Sequence, residues 1–326
     1  MEAPLKIFVL DATQTFGAGI ARAGSFTLAR HEERIFEDGE CKGRPLETVA
    51  GCDVYVVQSL HAGPNASADD KLNRLLFFVG ALKDAGAARV TAVTPYLCYA
   101  RKDRRTKWQD PLTLRYVAAL FEAVGTDAVV TMDVHNDAAF ENSFRRRTVA
   151  LTAVPLFVEY AKTLGEERLC VISPDAGGAK RAQLFREALE SACGREVGRG
   201  YVEKRRSAGT VSGGLLVGDV TDSTVLIIDD LVATGGTLQR AARAARAGGA
   251  RRVIALATHG LFMTGASEIL ADAAIDRIGI TDIVPPFRLA ASPVLQKIDV
   301  LDAAGLFAQA IQRLHQNLRL DDLLAY

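Results

Sequence analysis

No apolar run in this chain of 326 residues reaches the roughly 20 residues that a membrane-spanning helix requires. Gly, a charge or a turn residue interrupts each one, so no helical membrane span is expected. Net charge is missing too. The 39 Lys and Arg balance the 39 Asp and Glu; no global field draws the chain to nucleic acid or to an anionic membrane, and any anion must be held locally. Cysteine is sparse and scattered: Cys41, Cys52, Cys98, Cys170 and Cys193 are odd in number and show no C-x-x-C spacing. That argues against a disulfide framework or a zinc site and predicts ordinary reduced thiols. The stretch from Met1 to Lys6 lacks the basic cap, long apolar core and cleavage site of a secretory signal, which predicts a cytoplasmic protein.

Apolar stretches rich in Val and Ile are present at regular intervals. Lys6–Leu10, Val54–Leu60, Val90–Pro95, Ala128–Met132, Leu169–Ser173, Val225–Ile228 and Val253–Thr258 read as buried strands alternating with helical segments. That rhythm predicts an α/β fold with mainly parallel sheets flanked by helices. Leu114, Val117, Leu120, Phe121 and Val124 recur at helical spacing before Gly125, as one buried helix face. The length fits two domains. Leu82 to Val93, helix then Gly then strand, is echoed from Ala244 to Ala255, which reads as an internal duplication. The expected domains are 1–150 and 151–326, with no low-complexity linker between them.

The most informative segment runs Val225-Leu-Ile-Ile-Asp229-Asp230-Leu-Val-Ala233-Thr234-Gly235-Gly236-Thr237 and continues into a helical run, Leu238 to Ala247. A strand that closes on two carboxylates offers them at the ligand-binding edge of an open α/β sheet. The hydroxyl-and-glycine turn can aim backbone N–H groups at an anion on the positive end of the following helix. Carboxylates repel phosphate but suit vicinal ribose hydroxyls or a magnesium ion. Together the two halves specify a phosphorylated sugar. An ordinary strand, turn and capped helix is the bland alternative, but it needs fewer acids, hydroxyls and glycines than stand here.

This run resembles the ribose 5-phosphate loop shared by type I phosphoribosyltransferases and phosphoribosyl pyrophosphate synthetases, and further motifs resemble the synthetases specifically. Phe36-Glu-Asp38-Gly-Glu40 is similar to the family loop that receives the adenine of an ATP held mainly by a neighbouring subunit. Pro95-Tyr-Leu-Cys-Tyr-Ala-Arg101-Lys102-Asp-Arg104-Arg105 resembles the run that holds the triphosphate, with Lys102 where the family usually has Gln. Asp133-Val-His135 and Ser173-Pro-Asp175 resemble the paired metal positions, and Val202-Glu-Lys204-Arg205-Arg206 the catalytic segment. Ala233 stands where family members have Asp or Ser.

The resemblance implies two tandem phosphoribosyltransferase-like domains, the first binding ATP through Phe36, Asp38, Glu40, Arg101, Lys102, Arg104 and His135. The second would bind ribose 5-phosphate through Asp229, Asp230, Ala233, Thr234, Gly235, Gly236 and Thr237. His135 and Asp175 are the implied Mg²⁺ positions, and Lys204 and Arg206 the implied catalytic cations. The implied reaction moves the pyrophosphate of ATP to ribose 5-phosphate in a homo-oligomer, a dimer or hexamer. A phosphoribosyltransferase and a non-catalytic synthetase-associated subunit are the competing readings.

Overall fold

Burial on both faces turns each of the apolar runs into a strand. The structure is a computed structural model that describes residues 3–166, 168–207 and 210–324, with the backbone alone at 204–207 and 210–214. It divides into two units, Met1–Thr152 with Ala304–Ala325, and Ala153–Ala303.

The first unit contains β1 (Leu5–Val9), α1 (Gln14–Gly24), β2 (His31–Ile35), β3 (Cys41–Pro45), β4 (Asp53–Val57), α2 (Ala68–Asp84) and β5 (Arg89–Val93). It continues with α3 (Thr113–Ala123), β6 (Ala128–Met132), α4 (Asp137–Ser143) and β7 (Arg147–Leu151). Its main sheet has the order β1-β4-β5-β6-β7, every pair parallel, and β4 and β6 are buried at each position. Residues covered on both sides need no polar alternation, which explains the continuous Val and Ile runs. β2 and β3 form a separate antiparallel hairpin. Ser67 starts α2 through a capping box with Asp70: the Ser67 hydroxyl accepts from the Asp70 N–H, and the Asp70 carboxylate accepts from the Ser67 N–H.

One expectation fails on α3. Leu114, Val117, Ala118 and Phe121 are buried, but Leu120 is 48% exposed. At 3.6 residues per turn Leu120 is carried out of the stripe set by Leu114, Ala118 and Phe121, so spacing alone over-assigned it.

The second unit contains α5 (Val154–Thr163), β8 (Leu169–Ser173), α6 (Ala179–Cys193), β9 (Gly198–Ser207), β10 (Thr210–Val217) and β11 (Thr224–Val232). α7 (Gly236–Ala247), β12 (Arg252–Gly260), α8 (Ala266–Leu270), β13 (Arg277–Thr281) and β14 (Ile298–Leu301) complete it. The sheet order is β10-β9-β8-β11-β12-β13-β14, parallel except for the β9–β10 pair. Parallel pairing puts the carboxyl ends of β8 and β11 side by side. The polar or glycine-interrupted strands β2, β3, β9 and β10 carry no apolar run, and sequence reasoning did not find them.

The division of the chain differs from 1–150 and 151–326 at its C-terminus, because α9 (Ala304–His315) belongs to the first unit. Phe307 meets Phe16 of α1 edge to face, with ring centroids 5.5 Å apart. Asp53 at the start of β4 is buried and accepts from Arg89 Nε at 2.7 Å and Nη2 at 2.6 Å, and lies 2.8 Å from His315 Nδ1. A carboxylate this deeply buried has to be paired, and its partners fasten the end of α9 to the sheet.

Candidate active site

In the second unit the strand leading to the glycine turn runs further than its apolar residues suggest. β11 continues through Asp229 and Asp230 to Val232, so the two carboxylates sit within the strand rather than beyond it. Main-chain pairing with β12 as far as Gly260 holds that extension in place. Asp230 is buried and its N–H donates to Asp229 Oδ1 at 2.9 Å. Burial first, then the Asp230 side chain, pushes the Asp229 carboxyl well above the usual carboxylate range. Arg181, on the first turn of α6, lies 3.9 Å from Asp230 and opposes that rise. An acid pair of this kind can carry a proton near neutral pH and so both donate to and accept from sugar hydroxyls.

The turn after the acids is held by backbone. Ala233 O accepts from the Met263 N–H at 2.9 Å, and Val232 O from Phe262. Gly235 adopts φ +85° and precedes α7 with no side-chain cap, and a Cβ there would lie 2.5 Å from Leu270 Cδ2. Only glycine satisfies both the left-handed backbone and the tight approach. Buried Leu238, Ala241, Ala242 and Ala245 seat α7 against the sheet, which fixes the direction in which its first N–H groups point. Thr237 Oγ1 accepts from Arg240 Nη2 at 3.3 Å, and Thr234 is exposed at the rim. Backbone N–H groups at a helix start, with hydroxyls beside them, make a cradle for a phosphate.

On the neighbouring strand, β8 ends at Ser173 and Asp175 begins the next turn. Its Oδ1 accepts from the N–H groups of Gly177 at 3.0 Å and Gly178 at 3.3 Å. A carboxylate has two oxygens and about four lone-pair directions, so this capping role is compatible with contact to a hydrated Mg²⁺, which keeps several waters and takes one or two carboxylates.

In the first unit, the loops after β5 and β6 carry the expected triphosphate and metal positions. Arg101, Lys102, Arg104 and Arg105 are exposed on the 101–110 loop. The base of that loop is anchored: Leu114 N–H donates to Lys102 O at 3.3 Å, and Asn136 Nδ2 donates to Asp103 Oδ2 at 2.8 Å. The second bond ties the basic loop to the segment bearing His135, which is exposed. Tyr99 and Asp133 enter these loops at φ +60° and +40°, a left-handed backbone that costs a non-glycine residue on the order of 1 kcal/mol and clusters at functional edges. Phe36, Asp38 and Glu40 form the exposed tip of the β2–β3 hairpin. Glu40 N–H donates to Asp38 Oδ1 at 3.0 Å, and the Arg34 guanidinium lies 4.8 Å over the Phe36 ring.

Lys204 and Arg206 fall on β9, and their side chains lie outside the described residues. His259, for which no chemistry was expected, is buried within β12. The five cysteines are free, and burial pushes the Cys98 thiol up to about 12 and the Cys170 thiol to about 11, so both are unreactive. Sequence reasoning missed Arg181, whose signal was a cation six residues past Asp175. It also missed the meeting of Asp11, His31 and Glu33 at the base of the hairpin, where Glu33 Oε1 accepts from the Asp11 N–H at 2.6 Å and lies 3.1 Å from His31 Nε2. No spacing within one element announces that cluster.

Comparison with known proteins bears on the whole length. A model described as the N-terminal domain of ribose phosphate pyrophosphokinase matches residues 5–125, and one described as a phosphoribosyl synthetase-associated domain matches residues 211–324. A ribose-phosphate pyrophosphokinase of Caldanaerobacter subterraneus is 36% identical over 98% of this chain and 97% of its own. Another, from Clostridium perfringens, is 34% identical with the same coverage. The crystal structure of phosphoribosylpyrophosphate synthetase from Mycobacterium smegmatis superposes with a TM-score of 0.84 at 30% identity, covering 96% of this chain and 99% of that one. Similarity that spans both units, in sequence and in backbone, leaves one assignment: the chain belongs to the ribose-phosphate pyrophosphokinase family.

Proposed function

We propose that the chain transfers the pyrophosphoryl group of Mg²⁺–ATP to ribose 5-phosphate, releasing AMP and phosphoribosyl pyrophosphate. The observation that carries this reading is the pairing, on one strand and turn, of the Asp229–Asp230 carboxylates with the glycine cradle at the start of α7. Acids for sugar hydroxyls and N–H groups for a phosphate are the two halves of a phosphorylated sugar. Arg101, Lys102, Arg104 and His135 hold the triphosphate, and Phe36, Asp38 and Glu40 from a neighbouring copy receive the adenine. This arrangement requires a homo-oligomer, and the enzyme works in the cytoplasm.

The anomeric oxygen attacks the β-phosphorus in line. A new O–P bond forms, the bond from the β-phosphorus to the oxygen bridging it to the α-phosphorus breaks, that oxygen leaves with AMP, and the hydroxyl proton passes to solvent. Lys204 and Arg206 stabilise the charge that spreads over the phosphoryl oxygens, the usual source of rate in such transfers. His135 and Asp175 are the residues that would hold Mg²⁺, and the ion would supply further neutralisation of phosphate charge.

The test is purified protein with Mg²⁺, ATP and ribose 5-phosphate, assayed for AMP and a magnesium-dependent sugar product. Lys204→Ala should cut turnover about a hundredfold or more and leave sugar affinity nearly intact; an unchanged turnover removes Lys204 from the mechanism. A second reading, a non-catalytic synthetase-associated subunit, draws support from the description of the model matching residues 211–324 and from Ala233 in place of an acid. Absence of AMP under the same conditions would favour it.

A further inference from the structure

The chain leaves β5 through a backbone conformation that most residues resist. Tyr99 stands at φ +60°, a left-handed geometry that is unfavourable for a side chain with a Cβ and persists only where the surroundings hold it. Glycine would adopt it freely; the sequence uses a tyrosine instead. The Tyr99 ring packs against the core of the first unit, a task phenylalanine would perform as well. The hydroxyl does something more: it donates to Asp69 Oδ1 on the first turn of α2. That bond first, and burial second, pushes the Tyr99 phenol up to about 12, so the hydroxyl remains a donor throughout the neutral range.

The held residue sits where the basic loop takes its direction. Tyr99 O accepts from the Lys102 N–H at 2.9 Å, which closes a turn over 99–102. Within it Ala100 is buried, and Arg101 and Lys102 are exposed. Upstream, the Leu60 N–H donates to Tyr96 O at 2.8 Å and fastens the end of β5 to the adjoining loop. Downstream, Lys102 O and Asp103 are anchored by Leu114 and Asn136. Between those two anchorages the course of the chain is set by the strained residue, and its side chain is tied to α2. A guanidinium grips phosphate through a planar fork of donors, so its worth depends on aim as well as on charge.

We propose that Tyr99 and Asp69 are a positioning pair for the triphosphate site, their hydrogen bond holding the left-handed turn that presents Arg101 and Lys102. Neither residue need touch the ligand. The inference rests on the proposed binding of ATP at the 101–110 loop.

Calorimetric titration of the full-length protein with Mg²⁺–ATP, without ribose 5-phosphate, tests the pair independently of turnover. Tyr99→Phe keeps the ring and loses the bond; Kd for ATP should rise about five- to tenfold, as should that for inorganic tripolyphosphate, while affinity for ribose 5-phosphate hardly changes. Asp69→Ala should do the same, and Asp69→Asn, which retains an acceptor, should recover most of the loss. The Tyr99→Phe/Asp69→Ala double variant should bind no more weakly than either single one, because both remove the same bond. Unchanged ATP affinity in Tyr99→Phe overturns the proposal. So do additive losses in the double variant, or equal weakening of sugar and ATP together with a lowered melting temperature, which would make the bond merely structural. Arg101→Ala separates the two possible failures. If it weakens ATP and Tyr99→Phe does not, the positioning pair is wrong; if it too leaves ATP binding unchanged, the assignment of the loop has fallen and the pair with it.

Discussion

The loop from Ala233 to Thr237 and the loop from Arg101 to Asp110 are both suited to phosphate, yet they are made in opposite ways. The first uses backbone: Gly235 is buried at φ +85°, its carbonyl neighbours are bonded to Met263 and Phe262, and a buried stripe on α7 sets its direction. The second uses the ends of long side chains, five of them exposed Arg and Lys on an anchored base. Backbone donors fixed before binding lose little entropy when the ligand arrives, whereas each long cation loses about 0.5–1.5 kcal/mol of rotamer freedom on being immobilised. The lesson is that the glycine turn is a pre-set backbone socket and the 101–110 loop a set of movable side chains, which would suit, in the proposed reaction, a small phosphorylated sugar and a flexible polyphosphate respectively.

The most damaging way to break the contrast is to fill the socket. Gly235→Ala combines a strained left-handed backbone with a Cβ driven against Leu270, so the N–H groups must move. Displacement of about 1 Å in a positioning element costs roughly a hundredfold, and KM for ribose 5-phosphate should rise by about that factor while KM for ATP stays within a few-fold. Steady-state kinetics with each substrate varied checks this; equal losses for both substrates would show that the turn is merely structural. The movable side chains are more forgiving. Arg101→Ala and Arg104→Ala should each raise KM for ATP by about tenfold, the worth of one charge-assisted hydrogen bond. Melting temperature should hardly move, since neither side chain is buried. A large fall in melting temperature would mean that these arginines build the loop instead of serving it.

A third prediction sharpens the socket side. The folded state holds a proton on Asp229 that the unfolded chain releases in the ordinary carboxylate range. Its contribution to stability is therefore complete at acid pH and is lost as pH rises through that range toward neutrality and beyond. Asp229→Asn removes the titrating group at nearly constant shape. Its melting temperature should match the wild type near pH 4 and exceed it by roughly a few degrees near pH 8, at the expense of sugar affinity. Parallel melting curves across that range would show that burial of this acid carries no cost.

How legible each loop was follows from the same contrast. The glycine turn could be read because backbone geometry forces residue type: Gly235 admits no substitute, and acids that precede a helix start have few other uses. The strand extension through Asp230 was not legible, because pairing with β12, rather than apolar character, continues it. The cations of the 101–110 loop could be placed only by their position after a buried strand, and nothing local told Arg181 to approach Asp230. Leu120 shows the limit from the other side, an apolar residue at plausible spacing that faces water. Fold was readable wherever burial was continuous, and chemistry wherever the backbone was special. Contacts between elements of dissimilar sequence, such as Asp53 with His315, had no local signal at all.

The gentlest test needs no substitution. Screening acts on exposed charge far more than on groups shielded by the fold, since the Debye length is about 10 Å at 0.1 M salt and about 3 Å at 1 M. Raising monovalent salt from 0.05 to 0.5 M should therefore raise KM for ATP several-fold through the exposed cations of the 101–110 loop. Ribose 5-phosphate should lose less than about twofold, because the N–H groups that would grip it are held at short range by the chain itself and its phosphate would sit against a helix start whose field acts only within the first turn. Initial rates with free Mg²⁺ held constant make the comparison. A sugar that responds to salt as steeply as ATP would mean that side-chain charge, rather than the glycine turn, supplies the grip on its phosphate.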